Sequence, residues 1–122
     1  MSVFENPILV TSLPAGVDLS SSQYFVITNA AGDADLSAVA DIPAGLLQNN
    51  PTATGTASIM QVGISRAVAG AAISLNDAVA SDANGKLRTA QAGDTPLGRA
   101  LEAAAADGDI VSVLLNIAGA AL

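Results

Sequence analysis

Shifted by 53 residues, the second half of this chain falls on the first, and many of the matches are residues that dictate backbone shape. Val26 falls on Val79, Thr28 on Ser81, Asn29 on Asp82, Ala30 on Ala83 and Gly32 on Gly85. Farther along, Asp41 meets Asp94, Pro43 meets Pro96, Gly45 meets Gly98, Ala53 meets Ala106 and Gly55 meets Gly108. Met60 and Val62 then meet Val113 and Leu115. Upstream, one inserted residue brings Ala15-Gly16 onto Ala69-Gly70 and Leu19-Ser20 onto Ile73-Ser74. Gly permits positive φ, and Pro fixes φ while removing a donor, so matched Gly and Pro imply a repeated chain path. Ala and Gly are abundant here, and chance matching through composition is the competing reading.

The path being repeated is of β type. Short runs bounded by turn residues recur at Ile8 to Thr11, Tyr24 to Thr28, Ile59 to Ile64, Asp77 to Ser81, Lys86 to Thr89 and Asp109 to Ile117. The expected fold is all-β: a small closed or nearly closed barrel or sandwich built from two pseudo-repeated halves, with an N-terminal arm and little helix. Residues 1–13 read as the arm, 14–66 as the first pseudo-repeat and 67–122 as the second, all within one domain. Closure removes strand edges that invite aggregation. In the third run, Met60, Val62, Ile64 and Val68 alternate with Gln61, Gly63 and Ser65, which predicts a strand burying the apolar set. In the last run Val111, Val113, Leu115 and Ile117 share a face. Ile110 and Leu114 occupy the other, expected to be covered in part by a neighbouring subunit.

The punctuation can be placed on this path. Asn84-Gly85 is a tight-turn signal between two strands, and Gly32 stands at the matching turn of the first half. Asp-x-Pro-x-Gly recurs at Pro43/Gly45 and Pro96/Gly98 and reads as a corner, so that each half is expected to run strand, tight turn, strand, corner, strand, long loop and strand. Ser81 to Lys86 hints at the opening of a calcium loop, but Gly85 comes too early and Lys86 replaces the next ligand, so the turn is preferred. Asp107-Gly108-Asp109 is likewise a turn. The run Ala100 to Ala106 favours helix, yet its counterpart contains Pro51, so both are read as loops at strand ends.

The available chemistry is limited. The chain has no His and no Cys, which removes the commonest general base, the thiol nucleophile and the usual transition-metal cages. Phe4, Tyr24 and Phe25 are the aromatics, and there is no Trp, so an aromatic-lined sugar cleft flanked by two acids is not expected. No phosphate-cradling Gly-x-x-x-x-Gly-Lys-Ser/Thr stretch occurs. The expectation is no enzyme, no catalytic residue, no metal and no cofactor. A net charge of −7, from eleven acids against four cations, repels nucleic acid. The first ten residues lack the basic and apolar regions of a signal peptide, and no apolar stretch reaches the ~20 residues of a membrane-spanning helix. No membrane or small-molecule partner is expected. Alanine-rich interiors are thin, because a buried CH₂ contributes only ~0.8 kcal/mol, and with no disulfide available self-association is the remaining source of stability.

The second half also carries a resemblance. Val68 to Asn116 holds, in order, an Ala-Gly-small-small-Ile strand entry, a Ser-Asp-x-x-Gly hairpin, a Gly-Asp-x-Pro-x-Gly corner, and an Ala-rich segment leading to Ile-Val-x-Val-Leu-Leu. Pro43 to Pro51 supports it. This combination resembles the small capsid decoration, or cement, proteins of tailed bacteriophages, some of which carry a mistaken recombinase-like label. The resemblance implies a structural subunit on the outer surface of the virion capsid, made in the host bacterial cytoplasm. Its implied partners are the major capsid protein and copies of itself in a homotrimer. Phe4, Pro7, Ile8 and Leu9 lie outside the duplication and form a candidate arm for capsid or inter-subunit contact, together with Ile110 and Leu114. A strand closing its own barrel fits the same N-terminal segment. A tail or baseplate accessory part and a glycan- or host-binding module are the competing functions.

Overall fold

The computed structural model describes residues 5–39 and 41–116. These form nine strands: β1 (Asn6–Pro14), β2 (Val26–Ala30), β3 (Asp33–Leu36), β4 (Pro43–Leu47), β5 (Thr56–Val68), β6 (Ala78–Ser81), β7 (Leu87–Thr89), β8 (Gly98–Ala100) and β9 (Ile110–Asn116). No helix occurs among the described residues, and the fold is all-β. Ala100 closes β8, and Ala104 bridges to Ile73, so the alanine-rich run is spent on strand ends and loop as expected.

The sheet is antiparallel throughout, in the order β3-β2-β4-β5-β9-β8-β6-β7, with β1 paired to β5 off this path. β5 organises it. Ile59 and Met60 have β4 on one edge and β1 on the other, whereas Val62, Gly63 and Ile64 have β9 and β1. β4 and β9 therefore follow one another along a single edge of β5, and β1 covers the other edge as far as Ile64. Two groups of strands thus leave the same edge in succession, and the sheet curls into a half-barrel. Where the curl brings its ends together, Val26 N–H donates to the Gly85 carbonyl in the β6–β7 turn at 2.7 Å. Matching β2, β3, β4 and β5 with β6, β7, β8 and β9 makes the strand order read the same from either end.

Two clusters form the interior. One holds Ala15, Leu19, Ile27, Ala34, Leu47, Ala57 and Ile59. The larger holds Val26, Met60, Ala67, Ile73, Val79, Leu87, Leu97, Val113 and Leu115 among others. β5 is a wall of both, since Ile59 joins the first and Met60 the second.

The buried face of β5 departs from the alternation expected. Gly63, Ser65 and Ala67 are buried, while Val62, Ile64 and Val68 are half-buried. Each small residue has its own neighbour: a Cβ on Gly63 would run into the backbone of β1, Ser65 Oγ accepts from Gln48 Nε2 at 2.9 Å, and Ala67 packs in the cluster that holds Leu87, Leu97 and Leu115. Available space, rather than apolar character, selects the face.

The strands expected on either side of each Asp-x-Pro-x-Gly segment are β3 and β4 in the first half and β7 and β8 in the second. The segments themselves are not corners. Pro43 opens β4 and Gly45 lies within it, while Pro96 precedes β8 and Gly98 opens it. Glycine is required at Gly45 and Gly98 by close approach of a neighbouring strand. A Cβ on Gly45 would collide with the Met60 carbonyl, and one on Gly98 with the Leu114 carbonyl. Because the obstacle is backbone, Gly98→Ala is expected to cost about 2 kcal/mol or more. Gly93→Ala, at a positive φ with open space around it, should cost about 1 kcal/mol. Chemical denaturation of the two variants checks this order.

Candidate functional site

β1 presents a surface that a solitary molecule has no use for. Its register on β5 shifts between Pro7 and Leu9 and again between Leu9 and Val10, the mark of a bulge. Around the bulge Ile8 is 73% exposed, Leu9 43% and Val10 45%. Three consecutive exposed apolar side chains on a strand are a fault unless something covers them. Of the two readings open for this segment, residues 6–14 form a strand within the sheet, and Phe4 lies outside the described residues.

The outer edge of β1 is blunted as well as bare. A Cβ on Gly63 would meet Asn6 O at 2.5 Å and Ile8 N at 2.8 Å, so these two groups face β5. Alternation then turns the backbone of Pro7, which has no N–H, toward the free edge. A proline in that place discourages indiscriminate strand addition. Side-chain contact is left as the main offering of Ile8, Leu9 and Val10.

The remaining candidates are dispersed. Ile110 is exposed at the start of β9 and pairs with Val68, whereas Leu114 is half-buried between Ile64 and Arg99. Ile110 therefore lies about 17 Å along β5 from the level of Ile8, and the structure does not bring the two into one patch. Gly32 and Gly85 take positive φ at the β2–β3 and β6–β7 turns, the second beside Asn84. Sequence reading missed Val10, Val17, Val39, Ile42 and Leu75, all exposed. Periodicity cannot find them, because it assigns apolar residues to the interior.

The most enclosed ion pair among the described residues is Arg88 with Asp94. One guanidinium nitrogen, Nη2, lies 3.0 Å from each carboxylate oxygen, and Gln91 N–H donates to Oδ2 at 3.0 Å. Asp94 is 2% exposed. Its burial works to raise the carboxyl pKa, but the Gln91 and Arg88 hydrogen bonds and the guanidinium charge prevail, holding it below the ordinary carboxylate range. Glu102, also buried, accepts from Ser112 N–H at 3.1 Å. Among the described residues no group of three or more Asp or Glu side chains is placed to hold a metal ion.

An exposed apolar strand on a compact curled sheet, with its buried carboxylates committed to structure, suits a subunit that binds a surface. The sequence profile of a family described as "Phage cement protein" matches residues 5–115. The chain belongs to that family. A solved structure titled "The crystal structure of head fiber gp8.5 N base in bacteriophage phi29" is similar in fold, with a TM-score of 0.72 and 17% identity, over 88% of this chain and 93% of that one. No curated protein sequence matches. The cement-family chain is accordingly a structural protein of the phage head.

In this cement protein the Arg88–Asp94 pair holds the loop that leads into β8. A carboxyl depressed in the folded state contributes stability that is full above its unfolded pKa and lost as pH falls through the folded one. Stability is therefore expected to decline on acidification below the ordinary carboxylate range, and Asp94→Asn should flatten that decline. At neutral pH, Asp94→Ala should cost about 3 kcal/mol by stranding a largely buried guanidinium. Thermal unfolding across pH reads both.

Proposed function

We propose that this chain decorates the outer surface of a phage head and stabilises it by bridging neighbouring capsid subunits, and that it catalyses nothing. The single observation that carries the reading is the exposed run Ile8, Leu9 and Val10 on a strand fixed to the sheet by β5. Family membership supports the head as the place of action. Bridging follows from physics: a subunit that touches two shell proteins at once opposes their separation, and many such contacts, each weak, act together. The major capsid protein is the proposed partner, and a homotrimer the proposed state. Thin alanine-rich interiors favour such association, because burial against copies raises apparent stability by mass action. The proposed site of synthesis is the host cytoplasm.

We also propose that the two halves arose by duplication. Hydrogen bonds recur at the shifted positions. Asp41 Oδ2 accepts from Ala38 N–H, and Asp94 Oδ2 from Gln91 N–H. Ala15 bridges in parallel to Ala34, and Ala69 to Leu87. Tyr24 and Asn76, near-equivalent residues, both take φ near +70°. The buried residues Ala15, Leu19, Ala34, Leu47 and Met60 have Ala69, Ile73, Leu87, Ala100 and Val113, also buried, as counterparts.

Sedimentation with heads that lack the protein tests the function. Wild-type chain should pellet with expanded heads. Ile8→Asp should weaken attachment at least about tenfold while changing folding stability by no more than about 0.5 kcal/mol, as for an exposed side chain. Failure of wild-type chain to bind any head would sink the proposal.

A further inference from the structure

The halves share a chain path but not a surface, and the difference points to a docking face. On the rim formed by β3 and the β3–β4 loop, the first half exposes Val17, Val39 and Ile42, the last at 59%. At the corresponding positions the second half carries Ala71, Ala92 and Thr95, and Thr95 is 2% exposed. The two loops are held alike: in each, the aspartate carboxylate accepts the N–H three residues before it. This backbone path therefore does not need large apolar side chains at these points. Their presence in the first half calls for an external cause.

Charge says what kind of surface meets them. Asp33 and Asp35 of β3 correspond to Lys86 and Arg88 in the second half. There, Lys86 pairs with Asp107 at 2.9 Å and Arg88 with Asp94 at 3.0 Å. In the first half, Asp35 and Asp41 stand where Arg88 and Asp94 stand in the second, and no ion pair among the described residues involves Asp33, Asp35 or Asp41. The rim is continuous. Gly16 packs against Asp33, placing Val17 at one end of β3, and Thr28, paired with Asp35, donates through Oγ1 to the Ile42 carbonyl at 2.8 Å at the other.

We propose that this rim, Val17, Asp33, Asp35, Val39, Asp41 and Ile42, docks on a shell protein through an apolar depression flanked by arginine or lysine. That partner's cation takes the place held internally by Arg88 in the second half. A second copy of the chain is a poor occupant, because among the described residues three of its four cations, Arg66, Lys86 and Arg88, already have acid partners, which leaves Arg99. The inference rests on the head-binding reading and names a second face, beside the exposed run of β1, that takes part in it.

Two sets of variants test it, each importing second-half residues that this path already tolerates. Asp35→Arg supplies the missing cation internally, opposite Asp41, and Val39→Ala with Ile42→Thr removes the apolar side chains. Heads lacking the protein are the probe, with attachment measured by sedimentation across a salt series and folding by thermal unfolding. Each set is expected to weaken attachment at least about tenfold with the melting temperature kept or raised, and Asp35→Arg should flatten the salt dependence. Wild-type attachment by both sets would overturn this face while leaving head binding intact. A change in self-association without a change in head attachment would assign the rim to a second copy and overturn it equally. No attachment by wild-type chain would remove both readings.

Discussion

Everything in this fold hangs on the pairing of one strand. β5 is thirteen residues long and has β4 and then β9 along one edge, with β1 along the other. A strand that serves two sheet segments in succession must lie in the wall of two interiors, and Ile59 and Met60 do lie in different clusters. The small residues Gly63, Ser65 and Ala67 follow from that position, since β1 backbone crowds Gly63, Gln48 bonds to Ser65, and Ala67 packs in the cluster of Leu87, Leu97 and Leu115. So does the absence of a side chain at Gly45 and Gly98, where strands approach backbone to backbone.

Much of this was legible in the sequence where residues speak through backbone geometry. The turn at Asn84-Gly85 was read from residues whose conformational limits act locally. The β class followed from short runs between turns. What stayed hidden depends on three-dimensional neighbours. Strands were expected on either side of each Asp-x-Pro-x-Gly segment, but β3, β4 and β8, three to five residues long, are too short to carry a period that fixes their bounds. The buried face of β5 was misread because apolar bulk was taken to mark the interior, when the interior had room only for small groups.

The candidate surface was partly legible. Pro7, Ile8 and Leu9 were singled out by their place outside the repeat, and the structure puts them on an exposed strand edge. Val39 and Ile42 were not, because their meaning appears only beside Ala92 and Thr95, once the two loops are known to be held alike. Arg88 and Asp94 could not be paired from sequence, since nothing in a six-residue spacing around a loop says that both side chains turn inward. A structural protein with few aromatics and neither His nor Cys leaves little chemical signature in its sequence.

The central claim is that this chain clamps a phage head, and it is tested most directly by the temperature at which heads come apart with and without it. Heads stripped of the protein should disassemble at a lower temperature than heads to which it has been restored, with the difference growing as sites fill. An unchanged disassembly temperature at full occupancy would contradict the account, because attachment without stabilisation is display and not cementing.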